Sequence, residues 1–391
     1  MRFFLSLLLT LSTAVGMQAQ QDEQAPELPS AVQGNGGNAA GEVREQKARK
    51  SRYIEMAPMG GFLMPHHNDM LYLVDGHIRG FEGAYLFACD GDRDWHHSFN
   101  FPQWGFAAAY YDLASPHLGE ALALKLVIDL PLEPQRRYQI RLGAGGGYIS
   151  KPFDAESNIH NGAIGSAFNS ALEISLYRDW QLSSRLAVRA GLGIRHFSNG
   201  AMVMPNTGIN LAMASLALSY ASRSAEALRN DWPERRKIPH ERRREVWLGG
   251  SFGIKQALPI GGPNYGVGSL FINWQRSLGP RASWGAEAGV NQNSSLPHRS
   301  REAGIEPGAG IGLRSYLAAQ YLLHLGHWQL RFQMGSYILP AFELDGWVFF
   351  RYHLIYQMER WQCFAGLKSH WAKADHIELG LAYRILQSAR K

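Results

Sequence analysis

The sequence predicts an all-β protein, an antiparallel transmembrane β-barrel of about 14–16 strands. Three observations carry that prediction. The amino terminus reads as an export signal, no later stretch is apolar for long enough to make a membrane helix, and apolar and polar residues alternate with period two in segment after segment. The chain also holds 42 Gly, 16 Tyr, 18 Phe and 11 Trp, a composition that suits an exported barrel.

Met1-Arg2, the apolar run from Phe3 to Val15, and Met17-Gln18-Ala19 have the layout of a secretory signal peptide over residues 1–19, with cleavage expected after Ala19. Residues 20–51 are rich in Gln, Glu, Ala, Gly and Asn. They offer almost no large apolar side chain to bury, so a disordered polar leader is expected. One barrel is expected over 52–386, followed by a short tail, 387–391. Export excludes cytoplasmic roles and places the protein in a bacterial outer membrane. The net charge of +6 suits an anionic partner such as a phosphorylated lipid and is equally ordinary for an exported protein. Nothing points to nucleic acid, a cofactor or an oligomeric state.

Taken in order, strands are expected at 52–63, 77–88, 103–113, 119–130, 137–149, 171–178 and 186–198. They continue at 207–221, 245–255, 264–277, 281–293, 313–323, 328–338, 347–359, 361–369 and 376–385. In 119–130, Leu122, Leu124, Leu126, Ile128 and Leu130 alternate with Ala123, Lys125 and Asp129. In 347–359, Val348, Phe350, Tyr352, Leu354 and Tyr356 alternate with Arg351, His353, Gln357 and Glu359. A packed sandwich core rejects such charges, so this row suits a polar lumen and the apolar row faces lipid. The Gly143–Gly147 run lacks the Lys-Ser/Thr of a phosphate loop and reads as close packing within a strand. The ending Glu378-Leu379-Gly380-Leu381-Ala382-Tyr383-Arg384-Ile385 resembles an outer-membrane assembly signal, with Ile where Phe is usual.

Longer connections fall at 64–76, 150–166, 222–244 and 294–312. The stretch Pro233–Arg244 carries Arg235, Arg236, Lys237, Arg242, Arg243 and Arg244, a solvated charged loop or a contact for anionic head groups. His66, His67 and Asp69 read as a polar loop rather than a metal site, and no metal is expected elsewhere. Lys368, His370, Lys373, Asp375 and His376 form a second polar cluster near the end. In a single closed barrel the first and last strands are neighbours, which makes a Cys89–Cys363 disulfide conceivable.

One strand breaks the pattern. Counting back by twos from Ser198 gives His196, Ile194, Leu192, Ala190, Val188 and Leu186, while Arg195, Arg189 and Arg185 occupy the opposite row. His196 and Ser198 therefore continue the lipid-facing row, with Cα atoms about 6.6 Å apart. Polar groups cost free energy there, so an exception of this kind is a functional candidate. A turn over roughly 199–207 sets Ser198 across from Gly208 and His196 across from Asn210. Three polar groups then share one outward patch in the roles of nucleophile (Ser198), base (His196) and orienter (Asn210). Asn199 and the N–H groups around Gly200 are the oxyanion donors. Such a site opens into the bilayer and acts on a lipid ester.

His-x-Ser-Asn-Gly followed by Asn206-Thr207-Gly208 resembles the lipid A 3-O-deacylases of the PagL type, outer-membrane acyl-ester hydrolases of lipopolysaccharide with a Ser-His-Glu triad. The specific match runs from Arg195 to Asn210, with a weaker likeness over Asn161–Asn169. The resemblance implies Ser198 as nucleophile, His196 as base, Asn199 in the oxyanion hole and lipid A as substrate. With about twice the strand number of the small eight-stranded members, the chain looks more like the long, acyloxyacyl-hydrolase-like branch. It departs from the pattern at Asn210, where the acid is expected. An amide orients an imidazole but does not stabilise imidazolium as a carboxylate does, and losing that charge costs on the order of 10⁴ in rate in a serine triad. Glu173 is an unsuitable substitute, since it has lumen parity and an expected pairing near Gly191. The alternatives are a pore or transporter, and a catalytically impaired structural or lipopolysaccharide-binding barrel.

Overall fold

A computed structural model describes residues 51–223, 236–339, 346–371 and 373–390. The expected signal peptide, nearly all of the leader and the first part of the basic stretch at Pro233 lie outside the described residues. The alternating segments form sixteen antiparallel strands. The first eight are β1 (Arg52–Leu63), β2 (Ile78–Ala88), β3 (Gln103–Asp112), β4 (Glu120–Pro131), β5 (Tyr138–Ile149), β6 (Phe168–Gln181), β7 (Leu186–Ser198) and β8 (Ile209–Ala221). The second eight are β9 (Arg242–Gln256), β10 (Asn264–Ser277), β11 (Ala282–Asn293), β12 (Leu313–Leu325), β13 (Trp328–Leu339), β14 (Val348–Gln357), β15 (Trp361–His370) and β16 (Lys373–Arg390). Two short α-helices, α1 (Asp94–Ser98) and α2 (Leu296–Glu302), and a 3-10 helix, Asn68–Leu73, lie in connections among the described residues. Among the described residues no helix is long and apolar enough to cross a membrane.

The strand number falls within the expected range, but the strands close twice rather than once. β8 returns to β1, with Ala221 opposite Tyr53 and Leu211 opposite Leu63. β16 returns to β9, with Ile377 opposite Ile254, and it continues to Arg390, past the expected end at 386. Lumen chemistry explains the division. Eight strands enclose a space that side chains just fill, whereas sixteen enclose a channel. In the first barrel Arg141 reaches Asp129 at 2.7 Å and Glu55 at 2.7 Å, and Arg195 reaches Glu173 at 3.0 Å. Lys125 bonds both Glu82 and Glu173. These charges are buried and pair with one another within the first half of the chain, which closes as a barrel of its own, as the second half does. Two closures also separate the cysteines. Cys89 follows β2 and Cys363 lies in β15 of the other barrel, and no disulfide joins them.

The outward rows are apolar as expected, with Leu124 65%, Leu192 69% and Leu270 68% exposed. In the glycine run of β5, a Cβ on Gly147 would lie 2.6 Å from the Phe197 ring. Glycine there lets Phe197 fill the lumen immediately behind the end of β7, edge-on to Tyr111. The barrels touch at both ends. Phe99 and Leu130 of the first pack with Leu325 of the second on the linker side. At the opposite end, the Gln256 N–H donates to the Ala201 carbonyl at 2.8 Å.

Candidate functional site

The site is built where β7 ends and the 199–208 loop turns back into β8. His196 and Asn210 are direct ladder partners, as the parity argument requires. Opposite His196 on β6 stands Leu172, which is exposed on the outer face. The next residue, Glu173, faces the lumen. Glu173 pairs with Arg195, not with Gly191, so the expected register was four residues off. Its direction still removes it from the His196 imidazole, because its carboxylate is taken by Lys125 and Arg195 inside the barrel.

The polarity of the site follows from one backbone carbonyl. Thr207 O only accepts, and His66 Nε2 lies 2.9 Å from it, so that nitrogen carries the proton. In a neutral imidazole Nδ1 is then an acceptor, and the Asn210 Nδ2 amide donates to it at 3.1 Å. The Asn210 carbonyl Oδ1 is thereby turned to His196 Nδ1, 2.6 Å away, and accepts its proton. His196 is left with Nε2 as a proton acceptor, the tautomer a general base requires. Both His66 ring nitrogens are committed in this chain, which gives the polar loop after β1 a positioning role.

Ser198 is held differently. Its Oγ accepts from Asn206 Nδ2 at 3.0 Å and from the Gly200 N–H at 3.1 Å. Asn206 Oδ1 accepts from the Asn199 N–H at 3.1 Å and lies 3.3 Å from Ser198 Oγ. The hydroxyl thus rests on Asn206 and Gly200 rather than on the imidazole. The Asn199 side chain donates to Ser166 Oγ at 2.8 Å and to Val203 O at 2.9 Å, so it ties the loop together. Gly200 has φ +64°, the left-handed backbone that aims its N–H at Ser198.

The segment Asn161–Asn169 runs beside this loop. Ile164 forms a bridge with Asn206, the Gly208 N–H donates to Ala163 O at 2.9 Å, and Asn161 Oδ1 accepts from the Ala163 and Ile164 N–H groups. Sequence reasoning named His66 and Asn206 but gave neither a role at the site. His66 enters through the β1–β8 closure, which a single sixteen-strand circuit does not contain. Asn206 was legible as part of the turn and of the Asn-Thr-Gly that carries the resemblance, without its bond to Ser198. The cluster near the carboxyl end lies in the second barrel, where Asp375 accepts from Lys255 and stands 3.2 Å from His376 Nδ1 and 3.9 Å from Lys368 Nζ, with Lys373 exposed.

Residues 79–219 match the family model of the lipid A 3-O-deacylases (PagL), and residues 244–388 match that of the acyloxyacyl hydrolase C-terminal domain. No curated protein matches the chain. Solved structures similar to it include OccAB4 from Acinetobacter baumannii, at 9% identity over 88% of this chain and 99% of that one, with a TM-score of 0.23. Another is a triple mutant of the Rhodopseudomonas blastica porin, at 9% identity over 86% of this chain and 99% of that one, with a TM-score of 0.17. Scores this low carry no argument. The family matches fall one on each barrel and together span most of both, so the chain belongs to the lipid A 3-O-deacylase and acyloxyacyl hydrolase family of hydrolases.

Proposed function

We propose that this protein is an outer-membrane esterase that removes an ester-linked acyl chain from lipid A, with Ser198 as nucleophile and His196 as base. The observation that carries the reading is the run of hydrogen bonds from Thr207 through His66 and Asn210, which leaves His196 Nε2 as an acceptor on the same outward row as Ser198. That row also holds the exposed Leu192, so a substrate acyl chain lying against the barrel wall is led toward Ser198, which is itself buried under the loop.

In the reaction the Ser198 hydroxyl turns from Asn206 toward the imidazole. Oγ attacks the ester carbonyl carbon while its proton passes to His196 Nε2. The Gly200 N–H and the Asn206 side-chain amide, both within 3.1 Å of Oγ in the resting state, are placed to receive the oxyanion. Asn199, expected as a donor itself, holds Asn206 and the loop in position. Collapse breaks the bond to the sugar oxygen, which takes the proton from His196, and leaves Ser198 acylated. Water attacks that ester with His196 again as base, which releases the fatty acid and restores the serine.

A second reading has one observation in its favour. The Ser198 hydroxyl rests on Asn206, which suits a catalytically impaired barrel that binds lipopolysaccharide without cleaving it. The lipid A mass spectrum of cells expressing the native protein, set beside that of cells expressing Ser198→Ala, separates the two. Loss of one acyl chain with the native protein alone is expected. An unchanged spectrum with both, in cells whose outer membranes contain the folded barrel, would transfer support to the binding reading.

A further inference from the structure

We propose that the second barrel is part of the hydrolytic machinery of the first, and that Gln256 is a positioning residue for the loop carrying Asn199, Gly200 and Asn206. The inference rests on the esterase reading above. It starts from a strained residue. Ala201 has φ +60°, a backbone conformation that side-chain-bearing residues rarely adopt, so it persists only where its surroundings hold it. The support comes from outside the first barrel. The Gln256 N–H, at the end of β9, donates to Ala201 O at 2.8 Å.

The Gln256 side chain makes a second tie. Its Oε1 accepts from the Met204 N–H at 2.7 Å, and its Nε2 donates to Gly262 O at 2.7 Å. Because Gly262 O only accepts, the amide has one orientation, with its oxygen facing the loop. Residues 201 and 204 lie between Gly200 and Asn206, the two groups that bond Ser198. A third contact is steric. A Cβ at Gly200 would lie 2.3 Å from Ile377 Cγ1, so the outer face of β16 abuts the backbone that aims the Gly200 N–H. Gln256 and Ile377 share parity with the outward residues Ile254 and Leu379 of their own barrel. They are directed away from the second lumen and toward the loop of the neighbour.

The role is tested on the full chain in detergent micelles, with initial rates of acyl release from purified lipid A for the native protein and for Ser198→Ala, Gln256→Ala and Gln256→Glu. A displacement of about 1 Å at a reacting centre can cost 10²-fold in rate, and a loosened but intact loop should cost roughly tenfold. Gln256→Ala is therefore expected to lower kcat about tenfold with KM within twofold. Gln256→Glu keeps an acceptor for the Met204 N–H and should recover part of that loss. Amide hydrogen exchange over 199–208 in the same samples reads loop order independently of turnover, and protection should drop in Gln256→Ala. Equal kcat and equal protection in Gln256→Ala and native protein would overturn the inference while Ser198→Ala still reports on the esterase. If the native protein and Ser198→Ala are equally inert, the esterase reading fails. The exchange data then decide whether Gln256 orders the loop.

Discussion

Asn210→Leu tests the site at its least conventional point. The substitution removes the carbonyl that accepts the His196 Nδ1 proton at 2.6 Å and leaves a side chain of similar size. An unpaired donor in a half-buried site costs about 1–3 kcal/mol, and that penalty falls on the tautomer with the proton at Nδ1. The other tautomer places its proton at Nε2 and cannot accept the serine proton. At 25 °C the penalty corresponds to a fall of roughly 5- to 150-fold in the fraction of protein carrying a competent base. Since Asn210 has no role in holding substrate, the loss should appear in kcat, with KM nearly unchanged. The assay is the initial rate of fatty-acid release from purified lipid A by folded protein. His66→Phe should produce a smaller loss alone, because it frees Asn210 to turn over. It should add nothing in the Asn210→Leu background, where the connection is already cut. A kcat for Asn210→Leu within twofold of native refutes the tautomer argument. A loss beyond about 10³ means that Asn210 does more than orient the ring.

Two further outcomes follow from the same geometry. Asn210→Asp, made in the His66→Phe background so that no acceptor faces the new carboxylate, supplies the charge that the serine triads carry, so kcat should rise above that of His66→Phe alone, with a ceiling of about 10⁴; a rate at or below His66→Phe would show that residue 210 does not act through the imidazole. Glu173→Gln removes the shared anion of Lys125 and Arg195 in the first lumen and should lower stability by about 3–5 kcal/mol in urea unfolding. Activity per folded molecule should be unaffected, since Glu173 faces away from His196, and a selective loss of kcat would restore Glu173 as a candidate acid.

Much of the fold was legible because its signal is local. Alternation in 119–130 or 347–359 reports which row faces the lumen, and the Leu row on β7 carried the outward placement of His196 directly into the His196–Asn210 pairing. Closure is not local. No residue of β8 announces that it pairs with β1 rather than continuing to β9, and the lumen charges that favour closure at eight strands come from β1, β2, β4, β5, β6 and β7 together. Everything that depends on closure was therefore hidden, including the separation of Cys89 from Cys363 and the arrival of His66 beside Asn210. The register error at Glu173 has a related cause. Hairpin register is set by where the turn begins, and the Leu182–Arg185 connection is tighter than the alternation of either strand reveals.

Closure at β1–β8 also explains how an amide can occupy the position of an acid. A carboxylate orients an imidazole by accepting from it whichever way the carboxylate is turned, since its two oxygens are equivalent. An amide has one acceptor and one donor face, and unless something distinguishes them it presents the wrong face part of the time. His66 supplies that distinction, because Thr207 O fixes which of its nitrogens is protonated. Under the proposed esterase reading, the chain retains the orienting part of a triad without the charge. On that reading, activity should be that of a serine and an oriented imidazole lacking imidazolium stabilisation, slower than a complete triad by as much as about 10⁴ but not abolished.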